Sequence, residues 1–294
     1  MFFNISAGDY SATVTREGAG LASLTHRGRD LVLPHDPLQS PVGFNGRVLI
    51  PWPNRIAGGT YTFQGETHHL PVTEPDRNTA LHGLQCWTNW ELVRQEDDSV
   101  ELRTLTGPVP GYPFRLSTSV VYELGADRGL SVTIATRNIG EEPAPYGTGT
   151  HSYLTCDGAP IERCILRVPA SEVALTDDLL IPIGLKSAIG TEFDLRDGVL
   201  LDGVSLDDAF TGLQLEPDSK TWQVWLEDTK TRMKVVLECD EPWLQLFTAE
   251  PQGRRGVAVE PMTCPPNAFN SGEDLVVFLP EEDHVSSLRI FEAS

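Results

Sequence analysis

Short runs that alternate apolar and polar residues, separated by turn residues, recur along this chain of 294 residues. A period of two is typical of a strand with one buried face, and no long stretch has the 3.6-residue period of an amphipathic helix. Turn residues, for example at 127–129 and 138–140, stand between the runs. The clearest runs are VELRTL (100–105), RLSTSVVYEL (115–124), LSVTIATRN (130–138), TWQVWL (221–226), MKVVLEC (233–239), WLQLFT (243–248) and LVVFL (275–279).

Many short antiparallel strands can each bury one face only if two sheets pack against each other. We therefore predict an all-β fold, a large antiparallel sandwich or barrel with few short helices. The chain has no flexible linker, internal repeat or break in composition, so we expect a single domain over residues 1–294. A hydrophobic content of 40% is sufficient for its core.

Acidic residues dominate the charge, because 42 Asp and Glu against 22 Lys and Arg give a net charge of -20. Such a field repels phosphate backbones and anionic membranes, so we expect neither nucleic acid nor a membrane as a partner. The first residues, MFFNISAGDYSATV, lack the basic and apolar regions of a signal peptide, and no run of 18 apolar residues follows. These features predict a soluble, cytoplasmic protein.

The cysteines indicate neither a disulfide framework nor a zinc site, because their number is odd and no C-x-x-C spacing occurs. We expect them to be reduced core residues. His68 and His69 would face opposite sides of a strand, so they cannot chelate one metal together. The chain also lacks a G-x-S-x-G motif, a P-loop and a Rossmann glycine pattern. The cysteines are Cys86, Cys156, Cys164, Cys239 and Cys264.

The stretch VAVEPMTCPPNAF (257–269) places Glu260 at the end of an apolar, strand-like run that stops on prolines. A buried ionised carboxylate without a partner costs several kcal/mol, so Glu260 should be satisfied, protonated or used in chemistry. With a period of two, Ala258 and Glu260 share one face, while Val257 and Val259 share the other. The alternative interpretation is a carboxylate at the rim of the fold that reaches water.

The stretch PYGTGTHSYL (145–154), interpreted as a strand, puts Gly147, Gly149, His151 and Tyr153 on one face. Two glycines beside a histidine would leave space for a ligand to approach the imidazole. The alternative is a glycine kink with a hydrogen-bonded core histidine.

Three further stretches carry candidate groups: LHGL with His82, WPNRIAGGTYTFQG with Asn54 and Arg55, and LDDAF with Asp207. Arg55 could be a surface salt-bridge partner or a fixed fork of donors for hydroxyls or a carboxylate. Residues 64–65, Gln-Gly, predict the turn of a hairpin. Alone, LDDAF indicates no more than a solvated turn.

Taken in order, six stretches resemble the aldose 1-epimerase (galactose mutarotase) family over residues 43–270: GRVLIPWPNRIAGGTYTFQG, NTALHGLQCW, THSYL, LDDAF, WLQLFT and GVAVEPMTCPPNAFN. The resemblance implies a β-sandwich of the galactose mutarotase-like supersandwich type, with a sugar bound in an open cleft on one sheet. It implies that Glu260 is the catalytic base, His151 the catalytic acid and His82 a second active-site histidine. The implied sugar contacts are Asn54, Arg55, Asp207 and Gln245.

The implied reaction interconverts the α and β anomers of free aldohexoses such as galactose or glucose. A base removes the proton of the C1 hydroxyl, an acid protonates the ring oxygen, and the opened chain rotates about C1–C2 before closing again. A carboxylate and an imidazole suit these roles, and each typically contributes about 10²–10⁴-fold. Because no hydride or electron moves, we expect no cofactor and no metal. We expect a small aldose as the partner molecule, and a monomer or homodimer.

Two alternatives keep the fold. A sugar-phosphate mutarotase would need a basic cluster, for which Arg47, Arg254 and Arg255 are candidates. A non-catalytic carbohydrate-binding protein would use the same cleft, although binding alone requires neither an acid nor a base. Family members often carry a second glycine after the His-Gly pair and an aromatic-Asn-Leu run after the second histidine. This chain has HGL (82–84) and HSYLT (151–155) there, so the preferred aldose stays open.

Overall fold

Strands form most of the regular structure in residues 1–293, the part of the chain that our computed structural model describes. From the amino terminus to the middle of the chain they are β1 Phe2–Ala7, β2 Tyr10–Thr15, β3 Leu21–His26, β4 Arg29–Asp30, β5 Val48–Leu49, β6 Arg55–Ala57, β7 Thr60–Phe63, β8 Glu66–His69, β9 Thr79–Leu81, β10 Glu91–Gln95, β11 Ser99–Thr106, β12 Leu116–Gly125, β13 Gly129–Asn138, β14 Ala144–Tyr146, β15 Gly149–Thr150 and β16 Ser152–Leu154. The remaining strands are β17 Cys164–Arg167, β18 Ala170–Thr176, β19 Pro182–Ser187, β20 Val199–Leu200, β21 Asp207–Leu213, β22 Trp222–Asp228, β23 Lys234–Cys239, β24 Trp243–Phe247, β25 Val257–Met262, β26 Val276–Phe278 and β27 Asp283–Ala293.

Helices are few and short in this part of the chain, as predicted. The α-helix α1 is Ala268–Ser271, and the 3₁₀ helices are Val42–Phe44, Pro75–Arg77, Ile161–Arg163 and Glu250–Gln252. Within residues 1–293, no helix is long and apolar enough to span a membrane.

Two large antiparallel sheets form the body of the fold. The nine-stranded sheet has the order β10-β11-β12-β13-β27-β23-β22-β17-β20. The eight-stranded sheet has the order β19-β18-β21-β24-β25-β15-β5, and β16 adds to it by pairing with β25. A four-stranded sheet, β1-β2-β3-β4, and three ribbons, β6-β9, β7-β8 and β14-β26, complete the described structure.

The core lies between the two large sheets. One cluster of buried apolar side chains contains Val120 and Ile134 of the nine-stranded sheet together with Phe210, Leu246 and Val259 of the eight-stranded sheet. Full burial of such a side chain typically contributes about 1.5–3 kcal/mol. The predicted β-sandwich is therefore confirmed. The single domain over residues 1–294 stays a prediction.

All seven predicted runs form strands, namely β11, β12, β13, β22, β23, β24 and β26. The predicted hairpin also forms, because Gln64 (φ 49°) and Gly65 (φ 83°) connect β7 and β8 as a two-residue turn with positive φ at both positions. The five cysteines are free and buried, as expected.

The expectation that Glu260 ends its strand was wrong. Strand β25 continues through Pro261 to Met262, with Pro261 opposite Leu244 of β24. The fixed φ of proline lies at the edge of the extended region, so the chain stays extended although proline has no N–H to donate. Glu260 therefore lies inside a strand of the sheet.

The prediction that the stretch 145–154 is one strand was wrong, because these residues belong to three separate strands. Strand β14 pairs with β26, whereas β15 and β16 pair with β25, and His151 lies between the last two. The prediction that these residues share one face is confirmed for Gly149, His151 and Tyr153. Gly149 is opposite Met262 and Tyr153 is opposite Ala258, so the intervening His151 lies on the same face as both.

The two glycines do not leave room for a ligand, so that expectation was also wrong. A Cβ atom at Gly147 would lie 2.5 Å from Sγ of Cys264 and 2.9 Å from Cδ of Pro53. At Gly149 it would lie 2.8 Å from the carbonyl oxygen of Pro261. Protein atoms already fill this space, so the glycines allow the loop with Pro53 to pack closely on the sheet.

Gly83 fixes the loop that carries His82, and its substitution should be costly. Its φ is +76°, and a Cβ atom would lie 2.0 Å from the carbonyl oxygen of Ile50. We expect Gly83→Ala to lower the free energy of unfolding by roughly 2 kcal/mol or more, because backbone strain and steric overlap add. Urea denaturation measures this loss. The control is Gly58→Ala, at φ +62° with no atom within 4 Å of the new Cβ, which should cost about 1 kcal/mol. Equal losses would contradict the packing argument.

Candidate active site

Three buried polar side chains meet on the face of the eight-stranded sheet that points away from the core. One nitrogen each of His82 and His151 and one oxygen of Glu260 lie within 4.8 Å of one another. Glu260 projects from β25 on the opposite side to Val259, which belongs to the core. His151 comes from the break between β15 and β16, and His82 from the loop after β9.

The register of the sheet gives Glu260 its polar neighbours. Gln245 of β24 lies directly opposite Glu260, and Ala209 of β21 lies opposite Gln245. Two residues before Ala209, on the same face, Asp207 accepts a hydrogen bond of 2.8 Å from Nε2 of Gln245 at its Oδ1. Glu260 is only 2% exposed, so the interpretation as a rim carboxylate is wrong. Asp207 begins a strand and does not lie in a turn.

His151 and Glu260 contact each other directly, with 3.2 Å between Nε2 and Oε1. Burial lowers the pKa of His151 to about 3. Burial, followed by the charge of Asp207, raises the pKa of Glu260 well above its ordinary value, while Arg55 opposes this. The contact has the geometry of an ion pair, but burial disfavours either charge alone. The pair therefore holds one proton between them near neutral pH and has no net charge.

Both members of the pair carry a buried atom without a partner. Oε2 of Glu260 and Nδ1 of His151 have no hydrogen-bond partner among the described residues. A buried polar atom in this state typically costs about 1–3 kcal/mol, so native proteins retain few of them. A hydroxyl group beside Glu260 would satisfy Oε2, which makes this face suitable for a hydroxyl-rich ligand.

His82 is a neutral hydrogen-bond donor. Its Nδ1 accepts a hydrogen bond of 3.2 Å from the backbone N–H of Asn54, and its own backbone N–H donates to the carbonyl of Asn54. A ring nitrogen that accepts a hydrogen bond carries a lone pair, so the proton of the neutral ring is on Nε2. Burial, followed by the neighbouring His151 and Arg55, lowers the pKa of His82 well below its usual value.

Two histidines and a carboxylate are also a possible set of metal ligands. A histidine that binds a metal normally donates a hydrogen bond through its other ring nitrogen. Nδ1 of His82 instead accepts a hydrogen bond from the backbone N–H of Asn54. A metal at Nε2 would require a protonated Nδ1 that donates, and the Asn54 N–H is itself a donor. The cluster fits proton transfer better than metal binding.

Arg55 is a fixed fork of donors and not a surface ion pair. It is 8% exposed, and its Nε and Nη2 donate to the two carboxylate oxygens of Glu74 at 2.8 and 3.1 Å. Nη1 donates to Oδ1 of Asn54 at 3.4 Å. Nη2 also lies 3.9 Å from Oδ2 of Asp207. Arg55 thus lies between the loop with Asn54 and the acidic end of β21.

Every predicted site residue lies in this connected group, whereas several neighbours were missed. The ring of Phe44 lies 4.6 Å from the ring of His82 and 5.1 Å from the ring of Trp87, which is 49% exposed. Phe44 ends a short 3₁₀ helix, and Trp87 and Glu74 come from loops, so no periodicity indicates their contacts. Only the position of Glu74 in TEPDRNTA, just before the histidine stretch, could have suggested it.

The comparisons agree with the geometry. A sequence model described as "Aldose 1-epimerase" matches residues 1–290. The chain is 40% identical over 288 residues to the uncharacterized protein YihR of Escherichia coli K12, covering 98% of this chain and 92% of that protein. It is 31% identical over 231 residues to the aldose 1-epimerase of the same organism, covering 71% of this chain and 64% of that protein. The chain belongs to the aldose 1-epimerase family.

A solved structure shows the same fold. The GalM/aldose epimerase homologue from C. elegans superposes with a TM-score of 0.89 at 22% identity, covering 100% of this chain and 98% of that one. The predicted supersandwich fold is confirmed by this likeness.

The buried, neutral state of His82 predicts a pH-dependent contribution to stability. In the unfolded chain His82 has an ordinary pKa near 6.5 and binds a proton below it, whereas the folded protein, with its lowered pKa, does not. The stability of the native protein relative to His82→Gln should therefore fall by about 2 kcal/mol between pH 8 and pH 5. Urea unfolding of both proteins at the two pH values measures the difference. Parallel pH dependences would contradict a neutral His82.

Proposed function

We propose that this protein is an aldose 1-epimerase that interconverts the α and β anomers of free aldohexoses such as galactose or glucose. The observation that carries the proposal is the buried contact between His151 and Glu260, an imidazole and a carboxylate that share one proton. A pure binding site has no need of such a pair, because hydroxyl groups can be bound by uncharged donors and acceptors.

In this proposal Glu260 is the base and His151 is the acid. Once the shared proton has passed from Glu260 to His151 across their contact, Glu260 takes the proton of the C1 hydroxyl while His151 gives its proton to the ring oxygen, so the C1–O5 bond breaks and a carbonyl forms at C1. Rotation about C1–C2 and the reverse transfers close the ring as the other anomer. Each half-reaction moves the pair between its two one-proton forms, which are an imidazolium beside a carboxylate and a neutral imidazole beside a carboxylic acid. Neither form has a net charge, so no net charge is buried.

His82 completes the reacting group as a neutral donor. Its Nε2–H can donate a hydrogen bond to a sugar oxygen, and burial keeps this imidazole from becoming a cation. A fixed donor in a dry site stabilises negative charge that develops on oxygen. We therefore assign His82 to hydrogen bonding and not to proton transfer.

Asn54, Arg55, Asp207 and Gln245 are proposed to hold the remaining hydroxyls. The 3.9 Å between Nη2 of Arg55 and Oδ2 of Asp207 is too long for a direct hydrogen bond. One sugar hydroxyl can bridge this gap by accepting from Arg55 and donating to Asp207. Gln245, which already contacts Asp207, keeps its amide oxygen as a further acceptor.

The arginines that a sugar-phosphate mutarotase would need are already engaged. Arg47 is 1% exposed and pairs with Glu17, and Arg254 pairs with Glu162 and Glu250. Nε of Arg255 donates to a backbone carbonyl. These contacts favour an uncharged aldose as substrate. The cytoplasmic location, the absence of nucleic-acid and membrane partners, and the monomeric or homodimeric state stay predictions.

Substitution of the base tests the proposal. With freshly dissolved α-D-galactose and α-D-glucose, polarimetry should show faster mutarotation with the native protein than without it. Glu260→Gln should keep the fold and lower kcat by about 10²–10⁴-fold, with little change in KM. Glu241→Gln is the matched control, because Glu241 is also buried but lies outside the site, and it should keep native activity. Near-native turnover of Glu260→Gln would remove Glu260 from the mechanism.

The shared proton also predicts the pH profile. A second proton enters the pair only near the lowered pKa of His151, about 3, and the single proton leaves only near the raised pKa of Glu260. We expect kcat/KM to stay level between about pH 5 and pH 7, because the one-proton form dominates there. Initial rates in buffers across this range, with the spontaneous rate subtracted, measure the profile. A fall in kcat/KM centred near pH 6.5 would indicate an ordinary histidine and contradict the shared proton.

A further inference from the structure

We propose that Glu74 is a positioning residue of the sugar site, and that its carboxylate sets where the Arg55 guanidinium faces Asp207. This inference rests on the proposed function, because it assigns to Glu74 the orientation of a group that binds a sugar hydroxyl.

The carboxylate of Glu74 is held on both oxygens. Oε2 accepts from Nε of Arg55 at 2.8 Å and from Oγ1 of Thr79 at 2.7 Å. Oε1 accepts from Nη2 of Arg55 at 3.1 Å and from Nη1 of Arg77 at 2.8 Å. The side chains of Arg55 and Glu74 are 9% and 15% exposed. A bidentate, largely buried pair of this kind fixes the plane of the guanidinium.

The backbone holds Glu74 just as firmly. The N–H of Glu74 donates to the carbonyl of Thr79, and the N–H of Thr79 donates back to the carbonyl of Glu74. Thr79 begins β9, which pairs with β6 so that Arg55 lies opposite Leu81, the residue before His82. The ribbon of β6 and β9 thus carries Arg55, binds Glu74 through Thr79, and is followed directly by His82.

Besides Glu74, the carboxylate nearest to Arg55 is that of Asp207. With Glu74 ionised, Nη2 of Arg55 remains 3.9 Å from Oδ2 of Asp207. Hydrogen bonds from Arg55 and Thr79 outweigh burial and lower the pKa of Glu74, so Glu74 is ionised at neutral pH. If Glu74 lost its charge, Arg55 would move toward Asp207 and close the gap in which a hydroxyl binds. Loss of the Glu74 charge would therefore weaken sugar binding more than it would slow proton transfer.

Glu74→Gln tests this role because the amide keeps the shape of the side chain but removes its charge. We expect KM for the preferred aldose to rise about tenfold or more, while kcat changes less than about threefold. The matched control is Asp76→Asn, an exposed carboxylate in the 3₁₀ helix that directly follows Glu74, which should keep the native KM. A fall in kcat and in thermal stability with an unchanged KM would show a purely structural role and overturn the proposal.

The double variant separates positioning from independent binding. If Glu74 acts through Arg55, then Arg55→Lys should raise KM much less in the Glu74→Gln background than in the native protein. If the KM of the double variant rises by the product of the two single-variant increases, the two residues act independently and the proposal is overturned.

A spectroscopic measurement keeps this test independent of catalysis. The Nε–H of Arg55, buried against Glu74, should give a slowly exchanging ¹H–¹⁵N signal, assigned by its loss in Arg55→Lys. Glu74→Gln should shift or broaden this signal, whereas Asp76→Asn should not. If the native protein were inactive on aldoses while the signal responded in this way, the proposed function would fail and the hold of Glu74 on Arg55 would stand. An active protein whose signal ignored Glu74→Gln would overturn the Glu74 proposal alone.

Discussion

The contact between His151 and Glu260 is the interaction on which the rest of this site depends. An acid and a base that are both buried, 3.2 Å apart, disfavour separate charges and so retain a single proton. Such a pair persists only where the surrounding structure fixes both side chains. Here the ladder between β25 and its neighbours supplies that rigidity, because β16 and β24 flank β25 on its two sides. The apolar core beneath the sheet supplies the stability to retain polar groups without partners.

The loops bring the remaining groups to this sheet face. The ribbon of β6 and β9 carries Arg55, and it is attached to the segment that follows Glu260. The N–H of Asn267 donates to the carbonyl of Arg55 at 2.6 Å, and Oδ1 of Asn267 accepts from the N–H of Ala57. Residues 263–266, which include Pro265 and Pro266, therefore form a short connection between the end of β25 and the ribbon with Arg55. This explains why two prolines follow so closely after the strand with the buried carboxylate.

Much of the fold could be predicted from the sequence, because a period of two directly reports which face of a strand is buried. The same period placed His151 and Glu260 on defined faces. It could not show that β25 passes through Pro261, or that Pro53 and Cys264 fill the space beside Gly147, since both depend on contacts distant in sequence. The resemblance to a family supplied Asp207 and Gln245. Neither source indicated that Glu74 holds Arg55, because loop contacts have no periodic pattern.

A crystal structure of the Glu260→Gln variant with bound galactose would test most directly whether Glu260 and His151 flank the anomeric centre. We predict that the C1 hydroxyl lies within hydrogen-bond distance of the amide at position 260 and that the ring oxygen lies next to Nε2 of His151. A hydroxyl should bridge Arg55 and Asp207 in the same complex. A sugar bound on this face with its anomeric carbon directed away from His151, or bound elsewhere on the protein, would rule out the roles assigned to Glu260 and His151.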